Sequence, residues 1–212
     1  GCIVGFDLAH AAGNLHLQLH DDGPDFAAWC TYKYLNSGPG SLSGCFIHKR
    51  HHHTTDIPRF AGWWGNDKKT RFLMEDDFSP IDTAEGWQLG NPPVLSMAAI
   101  KASLDIFAEA GLLNLRTKSK LLTFYLEYLI HQENNKNIYI ITPSDPEHRG
   151  CQLSIQMKNP DRKLFLYLTE NRVVADWREP DVIRVAPVPL YNTFEDVWQF
   201  NRILHDGLLL LN

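Results

Sequence analysis

The sequence predicts an α/β fold: sheet strands and a loop first, then two long helices, then a small α/β layer. Three observations point there. Two short apolar runs, at 2–6 and 26–32, have the length of buried strands in a parallel sheet, and each leaves a charged group, Asp7 or Lys33, at its carboxyl end. Residues 94–131 carry apolar side chains at helical spacing. The remaining residues alternate strand-like and helix-like stretches.

The composition is that of a soluble globular protein. Of 212 residues, 44% are hydrophobic and 21% charged, which suits one large domain or two small ones. A net charge of −5 gives no attraction to nucleic acid or to an anionic membrane. No apolar run approaches the roughly 20 residues of a membrane span, and no stretch reads as a signal peptide. Cys2, Cys30, Cys45 and Cys151 form no CxxC pair and are expected to be buried free thiols of a cytoplasmic protein. The chain opens in a strand-like run without a starting Met, which reads as a fragment or truncated form.

Taken in order, Leu15, Leu17 and Leu19 alternate with polar residues as in a short surface strand or an extended loop. Ser37-Gly38-Pro39-Gly40-Ser41 is a turn by composition, and 43–48 reads as the return strand of a hairpin. Residues 49–90 show weak periodicity: Lys49 to Thr55 is polar, and 59–66 is aromatic and Gly-rich. A loop this long is more often functional than filler. Asn91-Pro92-Pro93 predicts a capped helix start, with Val94, Met97, Ile100 and Leu104 on one face and a break at Gly111. A second helix is expected over about 112–131. Strands are expected at 137–142, 151–157, 172–175 and 182–185, and a capped helix start at Asn159-Pro160. Thr193 and Asp196 have capping-box spacing ahead of a last helix.

Asp7 and Lys33 are the residues with most chemical content. An open α/β sheet binds ligands beyond the carboxyl ends of its strands. An acid and a lysine there match pyridoxal phosphate (PLP), which needs a carboxylate at its ring nitrogen and an amine for attachment. Taken singly, Lys33 is a strand-end lysine reaching solvent and Asp7 a capping acid; His10 and Tyr32 beside them tip the pair toward a site. Arg184 in an apolar strand needs a partner, for which an internal salt bridge suffices, and Trp63 could cap a core edge. His48, His51, His52 and His53 lack metal-ligand spacing and are expected in a solvated loop, with no metal. Asp21-Asp22 and Asp76-Asp77 are expected in solvated turns.

The stretches 6–14 and 32–36, with Gly62-Trp63-Trp64-Gly65, Asn91-Pro92-Pro93, Arg149-Gly150-Cys151-Gln152-Leu153 and 183–192, resemble the kynureninases, in the second half of that family's chain. The resemblance implies the aspartate-aminotransferase fold type (PLP fold type I). Residues 1–90 would complete the large PLP-binding domain with its active-site loop, and 91–212 would be a small C-terminal α/β domain. It implies a PLP-dependent hydrolase of L-kynurenine or 3-hydroxy-L-kynurenine, acting in tryptophan breakdown and NAD supply, cytoplasmic and homodimeric. Lys33 would be the Schiff-base lysine and Asp7 the partner of the ring nitrogen. His10 would position the cofactor, and Tyr32 would bond its phosphate and take part in proton transfer. Trp63 and Asn91 would complete the site from the neighbouring subunit, with Asn91 close to the substrate ring. Arg184 would hold the substrate α-carboxylate through a bidentate contact.

Two alternatives stay open. One is another enzyme of the fold type, such as a cysteine desulfurase, although that branch commonly carries His where Tyr32 precedes Lys33. The other is a non-catalytic chain, because the family's first half supplies the phosphate contacts and the ring-stacking aromatic. The Gly-rich turn at 37–44 lies after the lysine, where it would flank a phosphate rather than cradle it.

Overall fold

The computed structural model describes residues 1–54 and 56–210, so that Thr55, at the end of the expected polar stretch, lies outside the described residues. These form two compact units, Gly1–Glu109 and Ala110–Asn212. The expected boundary, before Asn91, lies one helix upstream of the observed one.

The first unit holds a three-stranded sheet in the order β1-β2-β3: β1 (Gly5–Asp7), β2 (Phe26–Trp29) and β3 (Gly44–Ile47). β1 and β2 are parallel, with Asp7 opposite Ala28. β3 returns antiparallel to β2, as the hairpin-like reading of 43–48 expects. The two glycines at the sheet's ends accept aromatic neighbours: the Phe26 ring lies over Gly5, and the Trp29 ring over Gly44, each on its cross-strand partner. The expectation of fully buried strands does not hold here. All three residues of β1 are exposed, because β1 has a strand neighbour on one side only among the described residues.

Between β1 and β2 the Leu15–Leu19 alternation does not make a strand. It leads into the short helix α1 (Leu19–Asp22), where the Asp22 carboxylate accepts the Gln18 N–H at 3.1 Å and Gly23 ends the turn at φ 78°. α2 (Val94–Ala110) closes the unit and buries Ser103 and Phe107. The first bond of that helix runs from Met97 N–H to the Pro93 carbonyl. Pro93 therefore takes the cap position assigned to Asn91, which is exposed two residues upstream.

The second unit is an antiparallel sheet in the order β4-β5-β7-β6, covered by three helices. The strands are β4 (Ile138–Ile140), β5 (Leu153–Met157), β6 (Asp176–Arg178) and β7 (Val182–Val185); the helices are α3 (Leu112–Gln132), α4 (Lys163–Glu170) and α5 (Phe194–Leu210). Among the described residues, parallel pairing is thus confined to β1–β2. Leu122, Leu126 and Ile130 share one face of α3, four residues apart, and meet Leu153, Ile155 and Ile183 of the sheet and Leu204 and Leu208 of α5. Burial of each such side chain contributes about 1.5–3 kcal/mol. Beneath this core Arg149 is buried with its Nη2 on Glu127 Oε2 at 2.7 Å and its Nη1 on the Pro143 carbonyl at 3.1 Å.

Two expected boundaries shift for local reasons. α4 begins at Lys163, not at Asn159-Pro160, because the Asp161 carboxylate accepts the Lys163 N–H at 2.9 Å. The strand expected at 172–175 forms instead at 176–178, because Arg172 takes φ 65° and the Val173 N–H turns back to the Leu168 carbonyl, closing α4. None of the four cysteines forms a disulfide, and only Cys151 is buried; Cys45 stands exposed on β3 and Cys2 exposed ahead of β1.

Candidate active site

The parallel pairing of β1 and β2 aligns their carboxyl ends, so that Asp7 and the turn after Trp29 leave the sheet on the same side. The chain then turns sharply at both places. After β1, the Leu8 N–H still bonds the Ala28 carbonyl at 2.8 Å, and residues 8–15 wind into a helical turn. After β2, the Asn36 N–H returns to the Lys33 carbonyl at 3.0 Å, with Asn36 at φ 56°.

These two turns pack on each other through Gly13. At φ 79°, a Cβ on Gly13 would lie 2.9 Å from the Leu35 nitrogen and from the Tyr34 carbonyl carbon and oxygen, so only glycine lets the backbones approach this closely. The His10 and Tyr34 rings meet edge to face at 5.8 Å. Ser103 of α2 donates its hydroxyl to the Leu35 carbonyl, backing the second turn. Asp7, His10, Tyr32 and Lys33 are therefore brought to one end of the sheet.

At Asp7, Oδ1 accepts the Ala9 N–H at 2.9 Å, the capping bond expected of a lone acid. Its Oδ2 accepts no hydrogen bond among the described residues. Lys33 is half-buried and, among the described residues, its ammonium has neither an ion pair nor a hydrogen bond. Tyr32 is 50% exposed. Its phenol is held above its ordinary value by the hydrogen bond with Cys30 and by that thiol's charge when ionised, so it remains a protonated donor. A PLP ring nitrogen requires a free carboxylate oxygen, and its aldehyde carbon a free amine. Asp7 and Lys33 meet both requirements.

Trp63 and Asn91 stand on the segment between β3 and α2. Trp63 opens a 3-10 turn, 47% exposed, with its ring edge to face with Trp64 and Phe72, so it does not cap a core edge. The surrounding loop is ordered by the buried Arg71, whose Nη2 donates to the Trp64 and Asn66 carbonyls at 2.8 and 3.0 Å, under the Trp64 ring. Arg184 belongs to the second unit, on β7. It has the internal salt bridge that an apolar strand requires: its Nε donates to Asp176 Oδ2 at 2.6 Å, and its Nη2 to the same oxygen.

Of the histidine cluster only His53 is solvated as expected, its side chain 80% exposed; the other three pack against the protein. His48 is buried and stacked on His20, His51 Nε2 lies 2.7 Å from Asp25 Oδ1 and His52 Nε2 lies 3.2 Å from the Ile47 carbonyl. Desolvation holds the His48 imidazole below its ordinary value. No group of metal-binding side chains occurs among the described residues. Asp25 went unnoticed in the sequence because no motif marks it. Buried before β2, it accepts the Val4 N–H at 2.8 Å as well as His51, and these contacts hold its carboxyl below the ordinary carboxylate range. Asp176 was missed because the strand that carries it was placed four residues too early.

The described residues contain no helix long and apolar enough to cross a membrane. Among solved structures the chain is similar to the cysteine desulfurase CsdA of Escherichia coli, with a TM-score of 0.76 at 16% identity over 96% of this chain and 51% of that one. It is also similar to the alanine–glyoxylate aminotransferase of a Nostoc species, with a TM-score of 0.71 at 18% identity over 98% of this chain and 54% of that one. A third is a variant of the lyase C-DES with glycine covalently linked to its PLP cofactor, with a TM-score of 0.68 at 18% identity over 92% of this chain and 49% of that one. These likenesses place the fold among PLP enzymes of fold type I. The family model for the kynureninase C-terminal domain matches residues 115–204. The kynureninase of Flavobacterium psychrophilum is 54% identical over 99% of this chain and 50% of its own length. That of Myxococcus xanthus is 55% identical over 96% and 48%, and that of Xanthomonas campestris pv. campestris 57% identical over 94% and 47%. The chain belongs to the kynureninase family and spans about half the length of the curated relatives it matches.

Proposed function

We propose that the protein hydrolyses the Cβ–Cγ bond of L-kynurenine or 3-hydroxy-L-kynurenine with PLP as cofactor, giving L-alanine and anthranilate or 3-hydroxyanthranilate. The observation that carries this reading is the placement of Asp7 and Lys33. Both have free functional atoms at the carboxyl ends of two paired parallel strands, in a chain more than half identical to kynureninases.

Bound PLP supplies an electron sink for the negative charge that develops at the substrate Cα. Asp7, through its free oxygen, keeps the cofactor ring nitrogen protonated, and Lys33 is the attachment amine. Once free, the Lys33 amine is the base for the Cα proton. Tyr32 donates to the cofactor phosphate and serves proton transfer, and His10 steadies the cofactor beside Asp7. Water adds to the γ-carbonyl, the Cβ–Cγ bond breaks with its electron pair to Cβ, and Cβ takes up a proton. Arg184 holds the α-carboxylate. Trp63 and Asn91 complete the site from the neighbouring subunit of a homodimer, with Asn91 near the substrate ring. On this reading 1–90 finishes the large cofactor-binding domain and 91–212 forms the small one. The enzyme acts in the cytoplasm, in tryptophan catabolism and NAD biosynthesis.

Lys33→Ala in the full-length protein tests this reading. The visible absorbance of bound PLP and the release of fluorescent anthranilate should both vanish; full activity in the variant would overturn the assignment. Offering the wild type cysteine and kynurenine side by side, and measuring sulfide against anthranilate, separates a desulfurase from the proposed hydrolase. PLP added to the 212 residues alone distinguishes a cofactor-competent chain from a non-catalytic one.

A further inference from the structure

Asp176 lies directly across from Arg184 in the register of β6 and β7. Ile183 and Val185, on either side of Arg184, are buried in the core, so the arginine projects from the opposite face of the sheet. There its Nε donates to Asp176 Oδ2 at 2.6 Å and its Nη2 to the same oxygen. Arg178 Nε also reaches that oxygen, at 3.0 Å. The Arg184 side chain is 22% exposed and that of Asp176 45%.

A guanidinium carries five N–H donors in a planar fork. Asp176 occupies the Nε–Nη2 edge. Among the described residues Nη1 donates to nothing, so the Nη1–Nη2 edge keeps donors for a second carboxylate. We propose that Asp176 is a positioning residue for substrate binding: it fixes the Arg184 fork so that its free edge meets the substrate α-carboxylate. This rests on the kynureninase reading and on the role given to Arg184. A long flexible side chain loses entropy when it binds, and a fork already held by one carboxylate loses less.

Two physical effects oppose each other here, and their signs separate them. Asp176 adds negative charge beside the binding site, so by charge alone its removal would strengthen the attraction of a substrate carboxylate. By positioning, its removal weakens binding. Asp176→Asn in the full-length holoenzyme should raise KM for L-kynurenine about tenfold, the loss expected for a charge-assisted hydrogen bond. The kcat and the bound-PLP spectrum should stay close to those of the wild type. Asp176→Glu, which keeps the charge on a longer arm, should fall between wild type and Asn.

Affinity for the corresponding amine, which lacks the α-carboxylate, should not change in either variant. In an Arg184→Ala background, Asp176→Asn should add no further rise in KM, because the residue it acts through is gone. A KM that is unchanged or lower in both the Asn and the Glu variants overturns the proposal. The same holds if the amine weakens in parallel with kynurenine. Failure of the broader reading looks different: Arg184→Ala would then itself leave KM untouched. An effect at Arg184 without one at Asp176 sinks the positioning role alone.

Discussion

Gly13 lies so close to Leu35 that a Cβ on it would stand 2.9 Å from the Leu35 backbone nitrogen. This contact joins the turn that follows Asp7 to the turn that contains Lys33. Gly13→Ala therefore meets two penalties, a left-handed φ of 79° and a clash with peptide atoms that cannot swing aside. Together they should cost about 2–3 kcal/mol of stability, read as a lowered urea midpoint. In the full-length protein the affinity for PLP should fall as well, because the two turns can no longer close.

The buried pair of Glu127 and Arg149 gives a prediction for the second unit. Glu127→Gln keeps the shape and removes the charge that Arg149 faces. A buried cation left without its carboxylate costs about 3–5 kcal/mol. Denaturant unfolding should show the loss, and replacing both residues together should cost less than the sum of the single changes.

The capping box of α5 makes stability depend on pH. Asp196 Oδ2 accepts the Thr193 N–H at 2.7 Å, and Thr193 Oγ1 accepts the Asp196 N–H at 3.1 Å. The Thr193 N–H, and next its hydroxyl, hold the Asp196 carboxyl below its ordinary value of 3.8. A depressed folded pKa means that the contribution is present above the unfolded value and is lost as pH falls through the folded one. Asp196→Ala should lower stability by about 1 kcal/mol at neutral pH. The gap to the wild type should close on acidification below pH 3.8, as measured by urea titrations at several pH values.

The fold was legible where one local signal faced no competitor. α3 matches its apolar spacing almost to the residue, β7 matches its apolar run, and the Thr193–Asp196 spacing makes the box it predicts. It was misread where two local signals compete. Asn91 looks like a cap, but the helix takes Pro93; residues 172–175 look like a strand, but the end of α4 claims Arg172 and Val173. Exposure was the least legible property. The apolar runs around Cys2 and Cys45 suggested burial, yet burial depends on what covers a face, and no pattern within the strand records that.

For the candidate site, the residue types at Asp7 and Lys33 were readable because strand ends are where such groups gather. What brings them together was not. Gly13 reads as one more glycine until its backbone approach is seen, and the partner of Arg184 depends on the register of a hairpin whose first strand had been misplaced.

Asp25 stands before β2, at the end of the sheet remote from Lys33, and has no part in the proposed chemistry. Yet its carboxylate takes the Val4 N–H, one residue before β1 begins, and β1 is held to β2 over three residue pairs only. A strand so short has little of its own to resist sliding by a residue, which would carry its last side chain about 3.3 Å along the sheet and turn it to the other face. The bond from the Val4 N–H to the Asp25 carboxylate at one end of β1, and that from the Leu8 N–H to the Ala28 carbonyl at the other, add to the three pairs that hold this register. The strand that carries the acid is thus steadied from the far end of the sheet as well, by a carboxylate in contact with neither the acid nor the lysine.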